Sequence, residues 1–149
     1  MLYRAGRPRE IFLSHASANR PFAARLAAAL DYARLRVWYS STSIVGARQW
    51  HDEIGEALQR CDWFLLVLSP ASVRSPWVKR ELLFALNDRR FENRIVPVKY
   101  RECDWKRLSW TLDAIQIVDF SHGFDAGWDE LSRIWPLPRP GAAVRRRRR

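Results

Sequence analysis

Cysteine is scarce in this sequence, and no long hydrophobic run is present. The two cysteines among 149 residues, Cys61 and Cys103, lie in no CxxC motif and no Cys/His cluster, so neither a zinc site nor a disulfide scaffold is indicated. No apolar run approaches the roughly 20 residues that span a bilayer, and the basic start lacks the apolar segment of a signal peptide. We therefore expect a cytoplasmic protein with free thiols and no membrane contact.

Glycine-rich phosphate-binding motifs are also missing. The six glycines form neither GxGxxG nor a P-loop with its lysine, which argues against the usual cradle for a dinucleotide. The net charge of +10 says little about partners, because five of the arginines form a single run at 145–149. Such runs are normally solvated, so weak nucleic-acid contact through this tail is a minor alternative.

Strand and helix patterns alternate through the rest of the chain. The run at 63–68 is continuously apolar, as in a parallel strand covered on both faces. The alternation predicts an α/β domain with a five-stranded parallel sheet and helices on both faces. Strands are expected at 10–14, 36–39, 63–68, 95–100 and 115–119, and helices from Asn19, around 50–58, at 77–87 and at 125–135.

Composition divides the chain into three parts. A basic N-terminal segment at 1–9 precedes the domain at 10–135. The Pro/Arg-rich stretch at 136–149 lacks the apolar bulk that would offset the entropy of ordering, so we expect a disordered tail. Within the sheet, Pro97 predicts that the fourth strand is not central, because proline has no backbone N–H to donate.

Ligands of open parallel sheets bind beyond the carboxyl ends of the strands. Ser14, His15, a polar loop at 40–49 and the segment 69–81 are therefore expected at the crevice. A lone histidine more often contacts backbone groups than acts in catalysis. Cys61 precedes the buried third strand and is expected under apolar cover, which argues against a reactive thiolate.

Glu81 is the carboxylate that stands out. On a helix it lies at the flank of the apolar stripe, with Trp77 and Phe84 beside it and no basic residue three or four positions away. A half-buried carboxylate beside an aromatic wall suits cleavage of a glycosidic bond, whose transition state resembles an oxocarbenium ion, with nicotinamide as one candidate leaving group. An ordinary helix-surface carboxylate explains the same spacing equally well.

Four segments occur in a characteristic order. They are IFLSHAS at 11–17, a loop and helix with Gly46, Trp50, Ile54, Ala57 and Leu58, LVLSP at 66–70, and SPWVKREL at 75–82. Together, over about residues 10–135, they resemble the Toll/interleukin-1 receptor (TIR) domain family in its bacterial stand-alone form. Each segment alone is a weak signal, but their order and spacing are specific.

The resemblance implies a flavodoxin-like sheet of strand order 2-1-3-4-5. Bacterial members of the family often cleave NAD and release nicotinamide, and no metal or bound cofactor is implied. Catalytic members have an essential glutamate four residues after a tryptophan, which Glu81 and Trp77 match. Substrate contacts are expected from Trp77, Ser14, His15, Ser40, Ser41, Ile44 and Gly46.

The loop at 40–49 departs from the family pattern. Many members carry an acidic residue near its start, where this chain has Ser40 and Ser41. The loop also presents the apolar pair Ile44 and Val45 with no core to enter. We therefore expect self-association through this loop, with a neighbouring subunit completing the nucleotide site.

Two hypotheses from different classes follow. The first is an NAD glycohydrolase or cyclase of bacterial antiphage signalling, with Glu81 as the catalytic residue and a downstream effector protein as a further partner. The second is a non-enzymatic module that signals or scaffolds through TIR–TIR contacts. The missing acid of the 40–49 loop favours the second.

Overall fold

Five short strands alternate with helices, as the hydrophobic pattern predicts. The computed structural model describes residues 3–39 and 47–139, with side chains of the second segment described from His51 onward. The strands are β1 (Glu10–Ser14), β2 (Arg36–Tyr39), β3 (Trp63–Leu68), β4 (Ile95–Lys99) and β5 (Val118–Asp119). The helices are α1 (Arg20–Tyr32), α2 (Ala47–Arg60), α3 (Pro70–Val73), α4 (Pro76–Leu86) and α5 (Phe124–Leu131).

The strands form one parallel sheet in the order β2-β1-β3-β4-β5. In the register of its centre, Phe12 of β1 lies between Trp38 of β2 and Phe64 of β3. All six residues of β3 are buried, because helices cover the sheet on both faces. The predicted fold class and strand order are confirmed.

Alternation of side chains along the strands divides the core into two layers. Ile11 and Leu13 pack with α1 and α5, on what we call the α1 face. Phe12 and Phe64 pack with α2 and α4, on the α4 face. Because successive strand residues point to opposite faces, Ser14 at the end of β1 belongs to the α4 face.

The last strand and the last helix differ from the sequence prediction. The expected strand at 115–119 pairs with β4 only at Val118 and Asp119, and Ile115 and Ile117 pack against the core of the α4 face instead. The expected helix at 125–135 is α5, which starts one residue earlier and ends at Leu131. Trp135 is buried without being helical. Apolar residues that pack on the core outside regular structure therefore made the predicted strand and the predicted helix too long.

The prediction that the fourth strand is not central is confirmed, because β3 is the middle strand; Pro97 nevertheless does not place β4 at the edge of the sheet, since β4 lies between β3 and β5. The N–H of Tyr100 donates to Leu68 of β3, whereas the carbonyl of Lys99 accepts from Phe120 on the β5 side. Backbone groups of successive residues in a strand point to opposite neighbouring strands, so the nitrogen of Pro97, two residues before Lys99, faces the β5 side. β5 pairs only with the two residues after Pro97, and the proline therefore costs the sheet no hydrogen bond there.

Both ends of the described chain pack on the domain. Tyr3 contacts the core of the α1 face, and its hydroxyl donates to the carbonyl of Gln116. Leu137 contacts the same core, and Nε1 of Trp128 donates to the carbonyl of Pro138 at 3.0 Å. Residues 136–138 therefore belong to the packed domain rather than to the expected tail, and residues 140–149 with their arginine run lie outside the described residues. Within the described ranges no helix combines the length and hydrophobicity needed to cross a bilayer.

Two helical glycines provide a matched test of core packing. A Cβ at Gly127 of α5 would lie 2.2 Å from Cγ of the buried Phe120 ring, whereas a Cβ at Gly55 of α2 meets no described atom within 4 Å. Gly127→Ala should destabilise the protein by about 1–3 kcal/mol through overpacking. Gly55→Ala should stabilise it by about 0.5–1 kcal/mol, because glycine is costly inside a helix. Denaturant unfolding measures both, and similar effects of the two substitutions would contradict this packing.

Candidate functional site

Buried polar side chains are concentrated where β1 and β3 end. The five such side chains found in the described part of the chain are Ser14, Asn19, Ser69, Ser72 and Glu81. Burying polar groups costs free energy unless they are hydrogen-bonded. A cluster of them at the ligand-binding edge of a parallel sheet is therefore the candidate functional site.

Glu81 reaches this edge from α4. Ser75 caps the helix by accepting from the N–H of Val78 at 3.3 Å, and Glu81 lies in the second turn. The hydroxyl of Ser14 donates to its Oε1 at 3.4 Å. The sequence predicted a half-buried carboxylate between two aromatic rings, and the predicted burial is wrong. Glu81 is almost fully buried, with 8% of its surface exposed, whereas Phe84 is 40% exposed.

The burial of Glu81 sets its protonation. Desolvation raises the pKa of this carboxyl to about 8, and the hydrogen bond from Ser14 opposes the rise only partly. No ion pair within 4 Å joins its carboxylate to another described residue. In the free protein the carboxyl is therefore largely protonated at neutral pH, and a cation brought next to it would favour the ionised form.

A second set of hydrogen-bonded polar side chains connects the loops around the crevice. Ser69, which follows β3, and Ser72 bond reciprocally in a capping box at the start of α3, at 3.0 and 2.8 Å. The Ser69 hydroxyl also donates to Oδ1 of Asn19 at 2.5 Å. Asn19 precedes α1 as predicted, but its side chain does not cap that helix. Instead it ties the loop after β1 to the loop after β3, a contact between distant residues that the sequence does not signal.

His15 and Arg20 carry polar atoms without partners at the same edge. The His15 ring lies beside Tyr39 at the end of β2, with ring centroids 6.0 Å apart. Nδ1 of His15 and Nε of Arg20 are buried and have no hydrogen-bond partner within the described residues. Burial lowers the pKa of His15; a polar contact with the Leu13 backbone opposes this fall, and the nearby positive charge of Arg20 adds to it. The net effect favours the neutral imidazole. Sequence reasoning singled out His15 but missed Arg20.

Trp77 lies on α4, one turn before Glu81. Its ring is half-buried and contacts the His51 ring of α2 with centroids 5.9 Å apart. The Arg80 guanidinium carbon is 5.1 Å from the centroid of the Trp77 ring. The contact between Trp77 and His51 therefore links α4 to α2 near the candidate site.

The remaining predicted site residues, Ser40, Ser41, Ile44 and Gly46, lie outside the described residues. The structure starts α2 at Ala47, so the loop expected at 40–49 ends earlier than predicted.

The Cys61 thiol is not suited to nucleophilic chemistry. Cys61 is buried, and desolvation raises the pKa of its thiol to about 12. A thiol of this kind is rarely ionised and is a poor nucleophile. Residues 3–39 and 47–139 contain no group of three or more His, Cys, Asp or Glu side chains arranged to hold a metal ion.

Comparison with known proteins agrees with this architecture. A sequence model of the TIR domain matches residues 11–132. The chain belongs to the TIR domain family. Its fold is similar to the crystal structure of the TIR domain of Toll-related receptor TRR-2 from Hydra magnipapillata, with a TM-score of 0.62 and 17% identity. That match covers 74% of this chain and 83% of the other, and no curated protein matches the sequence.

Family membership identifies the chain as a signalling module. TIR domains associate with one another and with other TIR proteins, and family membership confirms this broader part of the sequence prediction. The site described above is thus a buried polar cluster within a TIR domain. At 17% identity the Hydra structure supports the fold alone.

The raised pKa of Glu81 makes the stability of this TIR domain depend on pH. The folded pKa of about 8 lies above the ordinary value of 4.5. In this range the folded protein binds more protons than the unfolded chain. The free energy of unfolding should therefore decrease as the pH rises from about 5 to about 8, by an amount on the order of several kcal/mol. Glu81→Gln, which stays neutral, should remove most of this fall.

Urea unfolding at pH values across this window is the measurement. Glu92→Gln is the matched control, because Glu92 is exposed and its removal should leave the dependence unchanged. Equal pH dependence in the wild type and in Glu81→Gln would contradict the buried, uncompensated carboxyl.

Proposed function

We propose that this TIR domain cleaves the bond between nicotinamide and ribose in NAD, as a hydrolase or cyclase, with Glu81 as the catalytic carboxylate. The observation that carries the proposal is a buried carboxyl at the ligand-binding edge with no ion-pair partner among the described residues. Such a group costs stability, so its place at this edge points to a role with a cationic ligand.

The charges of the reaction suit this carboxyl. The nicotinamide ring of NAD is cationic, and as the C–N bond breaks its electron pair leaves with neutral nicotinamide while positive charge develops on the ribosyl group. An ionised Glu81 stabilises that oxocarbenium-like state, more strongly in a desolvated site than in water. Capture by water gives ADP-ribose and a proton, whereas capture by a nucleophile of the same molecule gives a cyclic product.

Side chains around Glu81 have roles in this proposal that follow from their contacts. Ser14 orients the carboxyl through its hydroxyl. The unpartnered nitrogens of His15 and Arg20 supply hydrogen-bonding groups for the polar parts of the substrate. Trp77 provides an aromatic wall one turn away on α4.

The loop residues complete the proposed site. Ser40, Ser41, Ile44 and Gly46 remain proposed substrate contacts. We place them on the nucleotide because the loop follows β2, and the carboxyl ends of parallel strands meet at one edge.

The biological setting is part of the same proposal. The four motif segments resemble those of bacterial stand-alone TIR proteins, so we place the activity in cytoplasmic antiphage signalling with a downstream effector protein. The arginine run at 145–149 would add only weak, salt-sensitive contact with nucleic acid.

A non-enzymatic TIR–TIR signalling module is the second candidate. A protonated Glu81 hydrogen-bonded to Ser14 is also what a purely structural buried carboxyl would show. The serines at positions 40 and 41, where many catalytic members have an acid, favour this candidate as well.

Substitution of the carboxyl separates the two candidates. Glu81→Gln preserves size and should lower NAD cleavage by about 10²–10³-fold or more, because it removes the negative charge that the transition state requires. Glu92→Gln, at an exposed carboxylate, should leave the rate unchanged. Chromatography of NAD incubated with each purified protein gives the rate and identifies the product. Absence of a product with concentrated wild-type protein would favour the signalling module, and full activity of a folded Glu81→Gln protein would remove Glu81 from catalysis.

Self-association is expected to control turnover. If a neighbouring subunit completes the site through the 40–49 loop, the competent state is a minor fraction of dilute protein, and the apparent activity scales with that fraction. NAD cleavage per mole of protein should therefore rise with concentration in parallel with light scattering. Ile44→Asp should abolish that rise. A constant specific activity from a strictly monomeric sample would contradict it.

A further inference from the structure

A second cleft opens beyond β4 and β5, at the carboxyl ends of these strands. Its volume is about 480 Å³. Phe22 of α1, Tyr100 after β4, Phe120 after β5 and Phe124 of α5 form its walls. Phe22 and Phe120 belong to the core of the α1 face, whereas Glu81 lies on α4. The two sites are therefore on opposite faces of the sheet.

Two arginines line this cleft, and each lies over an aromatic ring. The guanidinium carbon of Arg25 is 4.1 Å from the centroid of the Phe124 ring. That of Arg101 is 4.0 Å from the centroid of Tyr100. A guanidinium placed over an aromatic ring still has N–H groups at its rim that can bind a planar or tetrahedral anion.

Neither guanidinium is neutralised within the described part of the chain. Arg101 donates to the carbonyl of Tyr100 at 2.9 Å and to its hydroxyl at 3.3 Å, which leaves part of its five donors free. No described carboxylate lies within 4 Å of either arginine. Both side chains remain available to an anionic ligand.

Of the acidic residues adjacent in sequence to the cleft wall, Asp119 and Glu102 already have partners, since Glu102 lies 2.6 Å from Nζ of Lys99. Asp119 accepts from the N–H and the hydroxyl of Ser121 at 2.8 and 2.6 Å. It also lies 3.5 Å from Nζ of Lys99. Among the described residues that line the cleft none is acidic, so the two arginines give this part of the cleft a net positive charge.

The aromatic rings of the cleft wall pack against one another. The Phe22 and Tyr100 rings are stacked with centroids 4.2 Å apart, and Phe120 meets Phe124 edge to face at 5.4 Å. Arginines resting on such rings lose less side-chain entropy when a ligand binds. This distinguishes the cleft from an ordinary basic surface.

We propose that this cleft binds a ligand that carries a phosphate group, with Arg25 and Arg101 as its donors. Guanidinium groups match phosphate oxygens in geometry and bind them through paired N–H groups. The volume lies in the range of small-molecule sites, which is about 300–1,000 Å³, so a nucleoside phosphate fits better than phosphate alone. The proposal does not depend on Glu81 or on NAD cleavage.

Isothermal titration calorimetry of the full chain with ADP, inorganic phosphate and adenosine tests this site. Near-physiological salt screens diffuse attraction to the arginine run, since the Debye length is then about 8 Å. ADP should bind and adenosine should not. Arg25→Gln and Arg101→Gln should each weaken ADP binding about tenfold, as expected for loss of a charge-assisted contact. Equal binding of inorganic phosphate and ADP would assign the ligand as phosphate itself, within the same chemistry.

Two controls keep the result specific. Arg36→Gln removes an exposed arginine at the opposite end of the strands and should leave ADP binding unchanged. Glu81→Gln should also leave it unchanged, which separates this site from the proposed NAD site. The proposal is overturned if adenosine binds as tightly as ADP or if neither cleft substitution weakens ADP binding. It is equally overturned if these substitutions change only self-association, which would make the cleft an interface between copies.

Discussion

The burial of one carboxyl without a counter-charge is the constraint on which the account of this TIR domain depends. Glu81 lies on a helix whose neighbouring residues Val78, Leu82 and Ala85 are almost completely buried. Their packing holds α4 against the sheet even though burial of the carboxyl is unfavourable. The free energy that Glu81 costs is thus offset by the surrounding core, and the cost appears as a raised pKa.

The parallel sheet explains why this carboxyl meets other polar groups. Because all strands run in one direction, their carboxyl ends share one edge, and the loops after β1 and β3 meet there. Ser14 contacts Glu81, and Asn19 contacts Ser69 across the same edge. Side-chain alternation then assigns each group to a face, so the Glu81 site and the arginine cleft occupy opposite sides of one sheet.

Features that depend on residues near one another in sequence were predicted from local patterns. The continuously apolar run of β3 and the alternation of strands and helices gave the fold class, and helical spacing selected Glu81 before any contact was known. The depth of its burial was not predictable, since that depends on how closely α4 approaches β1. The contact between the distant residues Ser69 and Asn19 was also missed. So was Arg20, whose buried Nε has no hydrogen-bond partner among the described residues. The length of β5 was overestimated because Ile115 and Ile117 are partly buried by packing rather than by strand pairing.

Titration of the Glu81 carboxyl by carbon-13 NMR tests the central claim most directly. In the free protein its midpoint should lie near pH 8. A non-cleavable NAD analogue with a cationic nicotinamide should lower that midpoint, because a positive charge beside the carboxyl favours its ionised form. A free-protein midpoint near the ordinary value of 4.5, or a midpoint near 8 that a saturating analogue leaves unmoved, would contradict the account.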